Sequence, residues 1–145
     1  MKKILILIAI AASAISVPAY AQTMANDQLY KSFGEKAGIT VLMNDFLKRL
    51  VEDPRTRDHF QIMGAGRIKE QLIEQLCELS GGPCVYTGRD MKSSHAALNI
   101  KKSDFHALVE VLQSSMTAQG IPFSSQNQML ALLAPMNRDI ITPKN

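Results

Sequence analysis

The stretch LSGGPCVYTGRDMKSSHAALNI, Leu79 to Ile100, decides how this chain is read. Ser80-Gly81-Gly82-Pro83 stops a helix, because glycine tolerates positive φ and proline cannot continue a helical turn. A loop from Pro83 to Gly88 follows, and then a short segment, Asp90 to Leu98. Met91, His95 and Leu98 are spaced i, i+4, i+7, so the imidazole falls on the apolar stripe of that segment. A histidine in this setting is either a core residue hydrogen-bonded to a carbonyl or a metal ligand. Cys77 and Cys84, the only two cysteines, flank the double glycine. They can close a small disulfide ring worth about 2–3 kcal/mol on the chain-entropy model. The alternatives are two unrelated thiols, or one buried and one reactive. A structural zinc site is disfavoured, since it wants four ligands at other spacings.

Compartment bears on the cysteines, and the start of the chain speaks to it. MKKILILIAIAASAISVPAYAQ has a positive head at Lys2 and Lys3, an apolar run from Ile4 to about Val17, a break at Pro18 and small residues around Ala19-Tyr20-Ala21. This is the pattern of a signal peptide over 1–21, cut after Ala21, with one domain over 22–145 exported to a periplasm-like space. The run is short of the roughly 20 apolar residues that span a bilayer, so no stable membrane insertion is expected after cleavage. Paired thiols tend to oxidise in such a compartment. Sixteen Lys and Arg against 13 Asp and Glu give a net charge of +3, which falls to +1 once Lys2 and Lys3 leave. With no basic stripe and no tryptophan, nucleic-acid binding has no support.

The remainder reads as helices. Asp27 caps a short one through Phe33, and Gly34 and Gly38 mark a bend. Thr40 opens a strong helix with Leu42, Phe46, Leu47 and Leu50 on one stripe. Asp53-Pro54 ends it, because the residue before proline avoids the helical region. An irregular stretch to Gly66 holds His59, Phe60, Ile62 and Met63. The spacing predicts a helix over 67–79, with Ile68, Leu72, Leu76 and Leu79 on its stripe and Gln71 and Gln75 flanking it. Ser103 caps the next helix, with Phe105, Leu108, Val109, Leu112 and Met116 inward. Gly120-Ile121-Pro122 breaks that helix. Ser124 or Ser125 caps the last, which uses Met129, Leu130, Leu133, Met136 and Ile140. No segment alternates with period two, so the fold class is all-α. His59 and His106 are expected to face solvent, and the methionines to fill core gaps.

No CxxCH, GxSxG, HExxH or P-loop pattern occurs, so covalent c-type haem and several hydrolase classes drop out, and no catalytic residue is assigned. A lone neutral imidazole facing an apolar pocket is what a non-covalent haem iron needs on one side. At this point the residues resemble a family, the group I truncated haemoglobins. LYKSFGEKAGITVLMNDFLKRLVEDPR looks like the family's first two helices, HFQIM like the turn with its haem-contacting phenylalanine, and GIPFSSQNQMLALLAPM like its last helix. The double glycine, Tyr-Thr-Gly, Met-Lys and histidine follow in the family's order.

The resemblance implies a truncated globin-like sandwich, two helices over two, around one non-covalent haem b (iron protoporphyrin IX). His95 matches the proximal iron ligand, Phe60 the phenylalanine on the porphyrin face, and Met91 a proximal wall residue. Phe46 belongs to the pocket wall, and Lys69 and Lys92 suit haem propionates. The distal pocket matches Leu47, Ile68, Gln71, Leu72 and Gln75. Three departures stand out, of which the Cys77 and Cys84 pair is an addition that fits export. The first hinge reads Phe33-Gly34-Glu35 where the family has two glycines. Leu47 stands where the family has a ligand-binding tyrosine, and Gln71, then Gln75, are the replacement donors on offer. The implied activity is binding of O2, or of NO or CO, by a monomer or weak dimer. NO dioxygenation is permitted, given an external electron donor. The competing expectation is a haem-free, disulfide-stapled helical domain that binds a partner.

Overall fold

The computed structural model describes residues 27–61 and 65–142. The signal-peptide reading, Ile62 and Met63 lie outside the described residues. The elements in order are α1 (Gln28–Ser32), α2 (Glu35–Glu52), α3 (Arg57–Phe60), α4 (Ala65–Leu79), α5 (Met91–His95), α6 (Lys102–Ala118), α7 (Phe123–Leu133), a 3-10 turn (Ala134–Met136) and α8 (Asn137–Ile140). No strand occurs among the described residues, as the all-α reading expects. The long helices α2, α4, α6 and α7 make the frame. Helix α2 packs on α4 and α6, and α7 packs on the same two. No helix among the described residues is long and apolar enough to cross a membrane.

Helix α2 supplies the centre of the core. Ile39, Leu42, Met43, Phe46 and Leu50 are all at most 3% exposed, on the i, i+3, i+4 stripe that one helical face makes continuous. Burying each such side chain contributes about 1.5–3 kcal/mol relative to leaving it in water. The helix begins at Glu35, five residues before the expected Thr40. Gly34 takes a left-handed turn with φ of 74°, and Glu35 follows at φ of 59°. The bend needs two left-handed residues, and Glu35 adopts the second without being glycine, at a cost of about 1–2 kcal/mol. Gly38 does not bend the chain. It lies inside the helix, where a Cβ would run into the Phe33 carbonyl. The far end is as expected: Asp53 is extended before Pro54, and the buried Thr56 hydroxyl donates to the Leu50 carbonyl at 2.7 Å.

Several starts differ from expectation. Helix α6 begins after Lys101, not Ser103, because the Asp104 carboxylate accepts from the Lys101 amide at 2.9 Å. Its core face is Ala107, Val111, Leu112, Ser115 and Met116, while Phe105, Leu108 and Val109 are only half-buried. Ser115, on this inward face, lies toward Asp45 of α2. Helix α7 begins after Pro122, whose carbonyl accepts from the amides of Ser125 and Gln126, so neither serine is the cap. The chain past Leu133 continues as the 3-10 turn and α8, so Met136 and Ile140 leave the α7 stripe. The stretch between α2 and α4 contains α3. There His59, expected in solvent, lies half-buried with Nε2 3.5 Å from Asp104 of α6. Burial works to raise the Asp104 carboxyl, but the Lys101 amide, the Ser103 hydroxyl and His59 outweigh it and hold it below the usual carboxylate range.

The end of α4 is a Schellman cap: Gly82 N–H donates to the Cys77 carbonyl and Gly81 N–H to that of Glu78, with Gly81 at φ of 85°. Cys77 and Cys84 form a disulfide there. A Cβ on Gly82 would sit 2.6 Å from the Tyr30 ring and 2.7 Å from Cys77 Sγ, so the second glycine is set by close approach to α1 and the disulfide. Gly82→Ala is expected to lower stability by about 1–3 kcal/mol through overpacking, read as a lower urea midpoint with unchanged slope. Cys84→Ala is expected to lose about 2–3 kcal/mol, matching the loss on reduction of the unmodified protein. Equal melting with and without reductant would refute the second expectation.

Candidate functional site

The site is built around α5, a helix of five residues. So short a helix does not hold itself in water, because nucleation is costly. Its start is capped: the Asp90 carboxylate accepts from Ser93 N–H at 2.8 Å, and Ser93 holds that carboxyl below the usual range. The loop before it is tied to α4. Glu74 accepts from the Thr87 amide at 3.1 Å and from its hydroxyl at 2.9 Å, and these donors depress the Glu74 carboxyl. Tyr86 donates to the Arg89 carbonyl at 2.8 Å, and its ring lies where a Cβ on Gly88 would be. The Tyr-Thr-Gly turn is therefore a clasp: one residue folds over the glycine, and the next bonds to α4.

His95 ends α5. Its Nδ1 lies 2.7 Å from the Met91 carbonyl and 3.0 Å from Ser94 Oγ. A carbonyl only accepts, so Nδ1 carries the proton and Nε2 keeps a free lone pair, the tautomer of a metal-binding histidine. From the end of the described chain, the Thr142 hydroxyl donates to the His95 carbonyl at 3.1 Å, and the Thr142 amide to that of Ile100 at 3.0 Å. Helix α5 packs on α8, not on the core. That is why Met91 and His95 are half-buried and not on the buried stripe that their spacing suggested.

The apolar candidates have a common property. Leu47, Phe60, Leu72 and Leu108 pack on the core yet stay partly exposed, and Ile68 and Met91 are likewise half-buried. Phe46 differs, at 3% exposed and inside the core. Helix α4 explains the pattern, because its residues divide between two faces. Ile73, Leu76, Cys77 and Ser80 turn to the core, while Ile68, Leu72, Gln75 and Leu79 share a second face about a third of a turn away. The expected single stripe of Ile68, Leu72, Leu76 and Leu79 thus mixed the edges of two. Gln75 lies on the second stripe and does not flank it. It is 8% exposed, and its Nε2 faces the sulfurs of Met136 at 3.6 Å and Met91 at 3.8 Å. That turns it toward the His95 segment and away from the distal role expected of it. Gln71 is half-buried with no hydrogen-bond partner among the described residues. Lys69 is half-buried and Lys92 exposed, and no ion pair among the described residues engages either.

The donor set suits a macrocycle-held iron. His95 offers one imidazole nitrogen, Nε2, once Nδ1 is bonded to the Met91 carbonyl, and no group of three His, Cys, Asp or Glu that could hold a metal ion occurs among the described residues. A porphyrin brings four nitrogens of its own and asks the protein for one axial ligand and an apolar cover. Sequence reasoning missed Thr142, the Glu74 clasp and the Met136 contact. None has a periodic or motif signal, because each is a single polar contact between distant segments.

Comparison with known proteins bears on the family and the fold. The truncated hemoglobin of Tetrahymena pyriformis in its Fe(III) form superposes with a TM-score of 0.74 at 22% identity, covering 80% of this chain and 98% of that one. The group 1 truncated hemoglobin of Mycolicibacterium paratuberculosis is 27% identical over 114 residues, 79% of this chain and 84% of that protein. That of Nostoc commune is 28% identical over 104 residues, 72% and 86% of the two chains. The family model described as bacterial-like globin matches residues 28–142. The chain belongs to the bacterial-like globins, and among them it is a group 1 truncated haemoglobin.

Proposed function

We propose that this globin, exported after loss of residues 1–21, holds haem b through His95 and binds a diatomic gas on the opposite face. O2 is the first candidate, with NO and CO as alternatives. The observation that supports this reading best is the state of the imidazole: Nδ1 is committed to the Met91 carbonyl, and Nε2 keeps its lone pair. Bound haem supplies an iron atom with one position for the imidazole and one for the gas. Phe60, Ile68, Leu72 and Met91 would cover its faces, and Phe46 would back them from the core. Lys69 and Lys92, both without an acidic partner among the described residues, are free to meet the propionates. The hydrogen bond at Nδ1 makes the imidazole a stronger donor, as outer hydrogen bonds on ligating histidines do. NO dioxygenation is the enzymatic extension of this reading. It requires a separate electron donor, since the chain carries no flavin or nicotinamide motif.

The distal side is apolar at Leu47, Ile68 and Leu72, and Gln71 is the remaining polar candidate. A polarised ligand such as O2 gains about 1.5–3 kcal/mol from a donor with charge-assisted character. CO is less polarised and gains less.

The first test is the absorption spectrum of the purified protein, titrated with haemin, reduced and exposed to CO. A Soret band saturating at one haem per chain, shifted by CO, is expected, and no stoichiometric band would refute the reading. His95→Ala is expected to abolish stoichiometric haem and to melt well below the haem-loaded wild type. A haem-free helical domain would show only the small change, about 0.5 kcal/mol, typical of a surface substitution. Leu47→Tyr is expected to slow O2 release and tighten O2 binding by roughly tenfold to a hundredfold, with little change for CO. Equal effects on the two gases would count against Leu47 facing the ligand.

A further inference from the structure

Gln75 is the one amide side chain on the second face of α4, among Ile68, Leu72 and Leu79, and it is buried. A buried amide in an apolar stripe needs partners to offset its desolvation. The partners it has are two thioethers, Met136 Sδ at 3.6 Å and Met91 Sδ at 3.8 Å. Thioether sulfur accepts weakly and donates nothing, so the end of the amide that faces them is the NH2 group.

The two methionines belong to the two elements that hold His95. Met91 opens α5, and its backbone carbonyl accepts from His95 Nδ1. Met136 closes the 3-10 turn that leads into α8, the helix on which α5 packs. Thr142, just past α8, donates to the His95 carbonyl. One side chain of α4 therefore touches both halves of the His95 support. Among the described residues it makes the only side-chain hydrogen bond between α4 and α5. The Glu74 clasp reaches only the loop before α5.

We infer that Gln75 is a positioning residue for His95: by holding Met91 and Met136 together it fixes the Met91 carbonyl against Nδ1, and so sets how strongly the imidazole donates to iron. The inference rests on the haem reading above. It assigns Gln75 to the His95 side, where it tunes the iron through its ligand and not through contact with the gas. A firmly held acceptor keeps the Nδ1–H bond short and the ring electron-rich, and a loose one weakens both.

The test is resonance Raman spectroscopy of the ferrous, gas-free holoprotein, comparing wild type with Gln75→Leu, which keeps the volume and removes the donor. Haem is expected to stay at one per chain with unchanged helicity, while the iron–histidine stretching band moves to lower frequency and broadens. A band unchanged in position and width in a haem-loaded Gln75→Leu protein would overturn the inference and leave the haem reading intact. Wild type that takes up no haem would overturn the haem reading itself, and this inference with it. Should Gln75→Leu fail to fold, Met136→Leu removes one acceptor from outside α5. It is expected to shift the band the same way by a smaller amount, and an unchanged band there also overturns the inference.

Discussion

The hydrogen bond between His95 Nδ1 and the Met91 carbonyl is the contact on which the rest of the site depends. It decides the tautomer, and the tautomer decides which nitrogen is free to bind. Yet the bond lies within one turn of a five-residue helix, which has no stability of its own. Its geometry is only as firm as what surrounds it. The disulfide and the Glu74–Thr87 bonds hold the approach, the Asp90 cap holds the start, and Thr142 holds the end. The distribution of these tethers along the chain is informative. They come from α4, from the helix's own cap and from the C-terminal tail, so the position of one imidazole reports on the assembly of most of the molecule.

The core is divided accordingly. Helix α2 has a full stripe of buried residues and would make a respectable core in any helical domain. Helices α4 and α6 do not finish the job. Each carries half-buried apolar residues, Ile68 and Leu72 beside the buried face of α4, and Phe105 and Leu108 at the N-terminal end of the buried face of α6. Partly exposed apolar surface of this kind, packed on a core but not closed over, is the form taken by a wall awaiting an apolar cover. The family to which the chain belongs implies a haem, and a flat macrocycle provides such a cover. The long loop before α5 then needs little core of its own.

How much of this could be read from the sequence depended on whether the signal was periodic. The long stripes of α2 and the breaks at Asp53-Pro54 and Gly81-Gly82 were legible because each follows from the chemistry of adjacent residues. The helix starts were less so. Thr40, Ser103, Ser124 and Ser125 are good caps in isolation, but Gly34, Lys101 and Pro122 took the positions, each for a reason set by its neighbours. The expected α4 stripe failed differently. Its residues serve two faces, and a single-face reading merged them, which placed Gln75 beside the stripe when it lies within it. The spacing of His95 implied burial, whereas α5 lies on α8 and leaves the imidazole half-buried. Contacts such as Thr142 with His95 join residues 47 apart in sequence and leave no local trace.

The two sides of the proposed haem would differ in what they can offer. On the His95 side polar groups are plentiful and already committed: Ser94 and the Met91 carbonyl to the imidazole, Thr142 to the backbone, Gln75 to two sulfurs. On the opposite side Leu47, Ile68 and Leu72 offer no donor, which leaves Gln71 as the one polar candidate. A globin with a distal tyrosine stabilises a polarised ligand directly, by a bond made only when the ligand is present. With His95 as the iron ligand, this chain's polar groups would serve the ligand that is always present. Its control over gas binding would then run through the strength of the iron–imidazole bond, which acts on O2, NO and CO alike, and less through discrimination among them at the distal face. Such a protein would bind diatomic gases with weaker selectivity for O2 than its tyrosine-bearing relatives. Its affinity would also be sensitive to whatever loosens the His95 segment, the Cys77–Cys84 bond included, because that disulfide anchors the loop leading into α5.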